Sequence, residues 1–203
     1  MDIFDKSIAV IITALVITGA YQIYLIPQNI SIRKSVNFSD IIDKKIPFKP
    51  RWVWIYTFLY YPFFFSVILT LDSFEHYAYV ILSFTILLLF QVAIAFLIPV
   101  RTPEEWRAYD PKNSWSEKFL SILQSIDHGG NCFPSMHVAI VSLSVCHIWS
   151  NASDWLGAWF TAVIAIALLI CASTVFTKQH FILDIPAGAV LGGFVYWIFL
   201  LIY

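Results

Sequence analysis

The residues best suited to chemistry in this chain are His137, His180 and Asp184. Asp184 follows His180 by four positions, one helical turn, so its carboxylate can accept from an imidazole N–H. Such a pairing fixes the ring tautomer and stabilises the charged ring, as in a catalytic triad. Lys178 and Gln179 stand beside His180, and Arg101 and Arg107 precede His137. Two imidazoles, a carboxylate and several cations suit nucleophilic and acid–base work on an anionic centre. Each piece alone has a plainer explanation. A histidine at a helix end is commonly a satisfied interfacial residue, and loop Lys and Arg anchor headgroups or set topology. His76, His128 and His147 are assigned to that plainer class. A zinc site built from His137, His180 and Asp184 fits poorly, because no H-x-x-x-H spacing supports it and the neighbours are cationic.

Only membrane helices bring these residues together. Charged residues make up 12% of the chain and hydrophobic ones 60%, against about 25% charged in soluble domains. Mean hydropathy is +0.77. The 18 Phe, 10 Tyr and 8 Trp suit lipid-facing surface and interfacial belts. Six stretches run long enough without charge to cross the bilayer core, at about 20 helical residues each. They are Ser7–Ile26, Trp52–Leu71, Tyr77–Val100, Pro134–Asn151, Trp155–Thr177 and Ile185–Tyr203. The expected fold is therefore an all-α, polytopic membrane protein, a six-transmembrane-helix bundle forming one domain over residues 1–203. The fourth span is the most polar, with Ser142, Ser144 and His147, and should face protein rather than lipid. Pro62 in the second is a helix-kinking residue. The start of the chain does not look like a cleavable signal peptide, since Met1 to Lys6 carries two acids and one base ahead of a spanning-length run.

Alternation of six spans puts the loops after spans 1, 3 and 5 on one side. His137 begins span 4 and His180 and Asp184 begin span 6, so topology gathers them at one depth of one face although 43 to 47 positions separate them. In the loop after span 3, Ser114-Trp115-Ser116-Glu117 is a capping box, followed by Phe119, Leu123 and Ile126 at helical spacing. That segment reads equally as an interfacial amphipathic helix or a loop helix packed on the bundle. Cys132, Cys146 and Cys171 form no metal spacing and imply no disulfide framework.

Pro134-Ser135-Met136-His137 resembles the P-S-x-H motif of the type 2 phosphatidic acid phosphatase superfamily. Ser173, His180 and Asp184 fit that superfamily's S-x6-H-x3-D motif. The surroundings, N-C-F-P-S-M-H-V and S-T-V-F-T-K-Q-H-F-I-L-D, are most similar to the inositol-phosphoceramide synthase-like branch. So is Ile46-Pro47-Phe48-Lys49-Pro50 with Val53 and Tyr56. The resemblance covers roughly residues 40 to 195. It departs in two places: the K-x6-R-P motif is missing, with Pro99-Val100-Arg101-Thr102-Pro103 in its place, and Thr174 stands where the last motif has arginine.

The resemblance implies the type 2 phosphatidic acid phosphatase fold and a phosphohistidine on His180, with Asp184 orienting it and His137 as acid. Lys178, then Arg101 and Arg107, would hold the phosphate, with backbone donors near Ser135 and Ser173. No metal and no cofactor is implied. The implied partners are a lipid phosphate and membrane lipids; nothing points to nucleic acid, and nothing assigns an oligomeric state. Hydrolysis of a lipid phosphate or diphosphate is placed ahead of headgroup transfer to an alcohol, because phosphatases are the larger class. A small anion transporter ranks third, for want of inverted repeats or broken midplane helices. Two signals for orientation disagree. Eleven of the 12 Lys and Arg lie on the side of the expected site, which the positive-inside rule makes cytoplasmic. The resemblance implies a periplasmic or other extracytoplasmic face.

Overall fold

The computed structural model describes residues 1–30, 34–38, 41–152 and 157–203. Arg33, one of the eleven cations on the side of the expected site, and the expected start of the fifth span at Trp155 lie outside them. Among the described residues the named elements are all helices: α1 (Ile3–Asn29), α2 (Ile41–Lys45), α3 (Tyr60–Leu69), α4 (Phe74–Leu97), α5 (Trp115–Ile126), α6 (Met136–Asn151), α7 (Ala158–Phe176) and α8 (Asp184–Ile202). Five segments are long and apolar enough to cross a membrane: α1, Pro50–Leu69, α4, Trp159–Phe176 and α8. The expected fourth span falls short of that length. Pro134 stays outside the helix and Ser135 caps it, leaving 16 residues in α6.

Side-chain caps set several helix starts, as unpaired N-terminal amides require. Asp2, Ser73, Ser114 and Ser135 each accept from the amide three residues on. In the expected capping box the Ser114 hydroxyl also donates to Glu117 at 2.6 Å. Pro62 does not break its segment. A π-helical turn over Ile55–Leu59 precedes it and accommodates the missing N–H.

α5 packs on the rest of the protein through one face. Ser116, Leu120 and Gln124 are buried, and Trp54 stacks on Phe119 with ring centroids 5.1 Å apart. Trp115, Ile122 and Ile126 point outward on the other side.

The most extensive helix contact is α6 against α8. Its cause is the pair Gly188 and Gly192, four apart on one face of α8. A Cβ on Gly188 would meet the Ser135 carbonyl at 2.6 Å, and one on Gly192 the Ala139 carbonyl at 2.5 Å. This close approach lets the Ser135 amide donate to the Asp184 carbonyl at 3.2 Å, joining the starts of the two helices. Gly188→Ala is therefore expected to lower turnover roughly 10- to 100-fold and to lower the unfolding midpoint in detergent. Gly193→Ala, which meets nothing within 4 Å, should change neither. Equal effects from the two substitutions would contradict this packing account.

Candidate active site

His180 sits in the turn between α7 and α8. α7 ends in a Schellman motif: the Gln179 amide bonds the Thr174 carbonyl at 3.0 Å and the Lys178 amide bonds Val175 at 3.1 Å. The left-handed position that usually takes glycine is Lys178, at φ 57°. The turn is held from a distant segment. The Lys178 ammonium donates to the Asp43 carbonyl at 2.6 Å and lies 4.8 Å from the Trp106 ring centre. The Ile182 amide donates to the buried Asp43 carboxylate at 2.9 Å. Below the turn, buried Phe181 packs with Val100 and Cys132. Burial pulls the Lys178 ammonium below its ordinary pKa, and Asp43 opposes that shift.

These contacts fix the His180 ring. Its Nδ1 lies 2.7 Å from the Cys132 carbonyl and 3.2 Å from Asp184 Oδ2. Both partners are acceptors, so Nδ1 carries the proton and, in the neutral ring, Nε2 carries the lone pair. Asp184 is fully buried and also accepts from the Phe181 amide at 2.9 Å, while its Oδ1 has no partner. The Cys132 thiol is pushed well above its ordinary pKa, first by burial and then by the nearby Asp184 and Asp127 carboxylates. It remains a thiol, donating to the Val100 carbonyl at 3.1 Å.

His137 enters from the first turn of α6. Its ring lies face-on to Tyr56 at 4.1 Å and tilted against Tyr60 at 4.5 Å, with its centroid 6.2 Å from that of His180. The amides of Met136 and His137 have no hydrogen-bond partner among the described residues. They are the free donors of a helix N-terminus, suited to an anion. Gln91, buried in α4, donates to the Pro134 carbonyl at 2.8 Å and so supports the turn before α6.

A family profile of the PAP2 superfamily matches residues 22–198. The chain belongs to the PAP2 superfamily. No curated protein and no solved structure matches the chain. Membership supports a phosphatase-like action on lipid phosphates, and the apolar helices agree with an integral membrane protein.

The other residues expected to hold phosphate in this PAP2 chain are engaged elsewhere. Ser135 caps α6, and the Ser173 hydroxyl donates to the Ile170 carbonyl at 2.6 Å. Arg107 donates to the carbonyls of Gln124 and Asp127 at 3.1 and 2.9 Å, closing the end of α5, and burial lowers its pKa. Arg101 lines a separate cleft of about 470 Å³ with Lys34 and Gln28, which none of the histidines lines. Of the histidines set aside, His147 is buried against Ser83 at 3.0 Å, and His76 stacks on Tyr203. His128 donates its amide to Gln28. Among the described residues no group of three His, Cys, Asp or Glu could hold a metal ion.

Sequence reasoning missed four contributors. Asp43 had no motif, and the Cys132 carbonyl carries no side-chain signal. Gln91 is a lone amide in an apolar run, and Tyr56 entered only as part of a family-like segment.

Proposed function

We propose that this PAP2 chain hydrolyses a phosphate monoester or diphosphate of a lipid through a phosphohistidine on His180. The observation that carries the reading is the buried His180 ring, held through Nδ1 by Cys132 and Asp184 with His137 facing it. Nε2 attacks phosphorus, the ester P–O bond breaks, and the alkoxide takes a proton from protonated His137. The phosphorylated ring is cationic, and the Asp184 carboxylate stabilises that charge. Water then gives a proton to His137 and attacks phosphorus. The P–N bond breaks and its electron pair returns to Nε2.

The Met136 and His137 amides serve as donors to the equatorial oxygens. Lys178, two residues from His180, is the cation we assign to the bound phosphate; reaching it exchanges the Asp43 carbonyl for a phosphate oxygen. In this reading α6 is the sixth membrane segment, shortened because its start is the floor of the site. The site lies at the rim shared by the starts of α6 and α8. The C-terminus stands about 28 Å away at the far end of α8, so a reporter after Tyr203 reads the compartment opposite the site.

Headgroup transfer to an alcohol is the second reading. It is favoured by the stacking of Tyr56, within the segment similar to the inositol-phosphoceramide synthase-like branch, directly on His137. Purified protein given a panel of lipid phosphates and of phosphodiester phospholipids as headgroup donors, with and without an alcohol acceptor, separates the two. Hydrolysis predicts free phosphate in both arms. A new phosphodiester lipid formed only with the acceptor, without free phosphate, would replace hydrolysis by transfer.

A further inference from the structure

The cavity beside His137 has room for more than an apolar tail. It holds about 420 Å³ and runs between α1, α3, α4 and α6, with Asp127 and Gln179 in its wall. Among the described residues no Lys or Arg lines it. A second anionic group there would meet a carboxylate, while Arg107 is turned onto the Asp127 carbonyl and does not line the cavity.

Asp127 is held by one oxygen. Its Oδ1 accepts from Gln28 Nε2 at 2.9 Å and from the Gly129 amide at 2.8 Å, while Oδ2 has no partner among the described residues. The phenol oxygens of Tyr21, Tyr56, Tyr60 and Tyr61, which also line the cavity, have no hydrogen-bond partner there either. The rings of Tyr56 and Tyr60 each pack against His137, so what they offer an occupant is chiefly edge and hydroxyl. An ammonium cage needs open ring faces, which these two lack. A carboxylate oxygen beside free phenols instead matches an O–H group, which donates to the first and exchanges hydrogen bonds with the second.

We propose that Asp127, with the Tyr56 hydroxyl, forms a subsite for a free hydroxyl on the alcohol side of the reacting phosphate. The substrate class is then a lipid phosphate whose alcohol carries another hydroxyl near the ester, as in a single-chain glycerol phosphate. This rests on the phosphohistidine reading, in which His137 protonates the leaving alcohol. A two-chain or fully deoxygenated lipid leaves Asp127 Oδ2 without a donor, and loss of such a charge-assisted bond is costly.

The test uses a matched pair: a 1-acyl-glycerol 3-phosphate and its 2-deoxy analogue with the same chain, presented in detergent to the purified full chain. The wild type is expected to favour the hydroxylated lipid in kcat/KM by roughly 10- to 100-fold. Asp127→Asn keeps an Oδ1 acceptor for Gln28 and Gly129 but replaces the free carboxylate oxygen. It is expected to bring that ratio to within about threefold of one, with the loss falling on the hydroxylated lipid. Tyr56→Phe should reduce the same ratio in part. Wild-type turnover without preference would overturn the subsite and leave the phosphatase reading standing. So would an Asp127→Asn variant that slows both lipids by the same factor. Turnover of neither lipid, nor of any other lipid phosphate, would overturn both.

Discussion

Replacing His180 by asparagine is expected to lower lipid phosphate turnover by at least about 10⁴-fold, because in the proposed mechanism it removes the nucleophile. Asparagine can still offer an N–H toward the Cys132 carbonyl, which the ring now meets at 2.7 Å. The turn between α7 and α8 keeps its other supports, the Asp43 contacts with Lys178 and Ile182. Helix content and the unfolding midpoint should therefore stay close to wild type. Alanine at the same position should be as inactive but less stable, by about 1–3 kcal/mol, because it strands buried acceptors on Cys132 and Asp184. Phosphate release and thermal unfolding on both variants separate the two effects. An asparagine variant that folds normally and still turns over within tenfold of wild type would remove His180 from the chemistry.

His137→Ala has the second largest expected effect, and it depends on the leaving group. An alkoxide leaving from a lipid phosphate needs a proton in the transition state, so loss of the acid should slow that step by roughly 10²- to 10⁴-fold. An aryl phosphate such as p-nitrophenyl phosphate leaves as a stable phenolate and needs little help. With it the variant should still phosphorylate His180 but lack the base that activates water for the second half. The expected record is a burst of about one nitrophenolate per enzyme followed by slow turnover. Truncation also uncovers the faces of Tyr56 and Tyr60, which now pack against the imidazole at 4.1 and 4.5 Å. His137→Gln therefore serves as the bulkier comparison. The same fold-loss on alkyl and aryl substrates, with no burst, would assign His137 to positioning rather than proton transfer.

The parts of this site that are local in the chain were legible in the sequence. The His180–Asp184 spacing is one helical turn, and the structure places the two side chains 3.2 Å apart. The Ser114 box caps α5 where the spacing puts it. Convergence of His137 with His180 followed from counting apolar runs, although α6 proved shorter than a span of the expected length. What failed to come through depends on contacts between distant segments. Lys178 finds its partner Asp43 135 positions away, and Ile182 reaches the same residue across 139. No periodicity encodes such a pairing. Nor does the sequence show the backbone bridge between Val36 and Val100, beside which Arg101 lines a cleft with Lys34 and Gln28. Gly188 and Gly192 are small residues four apart, and their role appears only once α6 lies against them.

The central claim is a covalent phosphoryl group on one nitrogen, and trapping it is the most direct measurement. His137→Ala incubated briefly with ³²P-labelled aryl phosphate, denatured in alkali and digested should carry label on the peptide containing His180. That label should be stable to base and lost in acid, as a phosphoramidate is, and absent when His180→Asn is added to the same variant. Label on another residue, or none at any time in an enzyme that releases phosphate, would contradict the account.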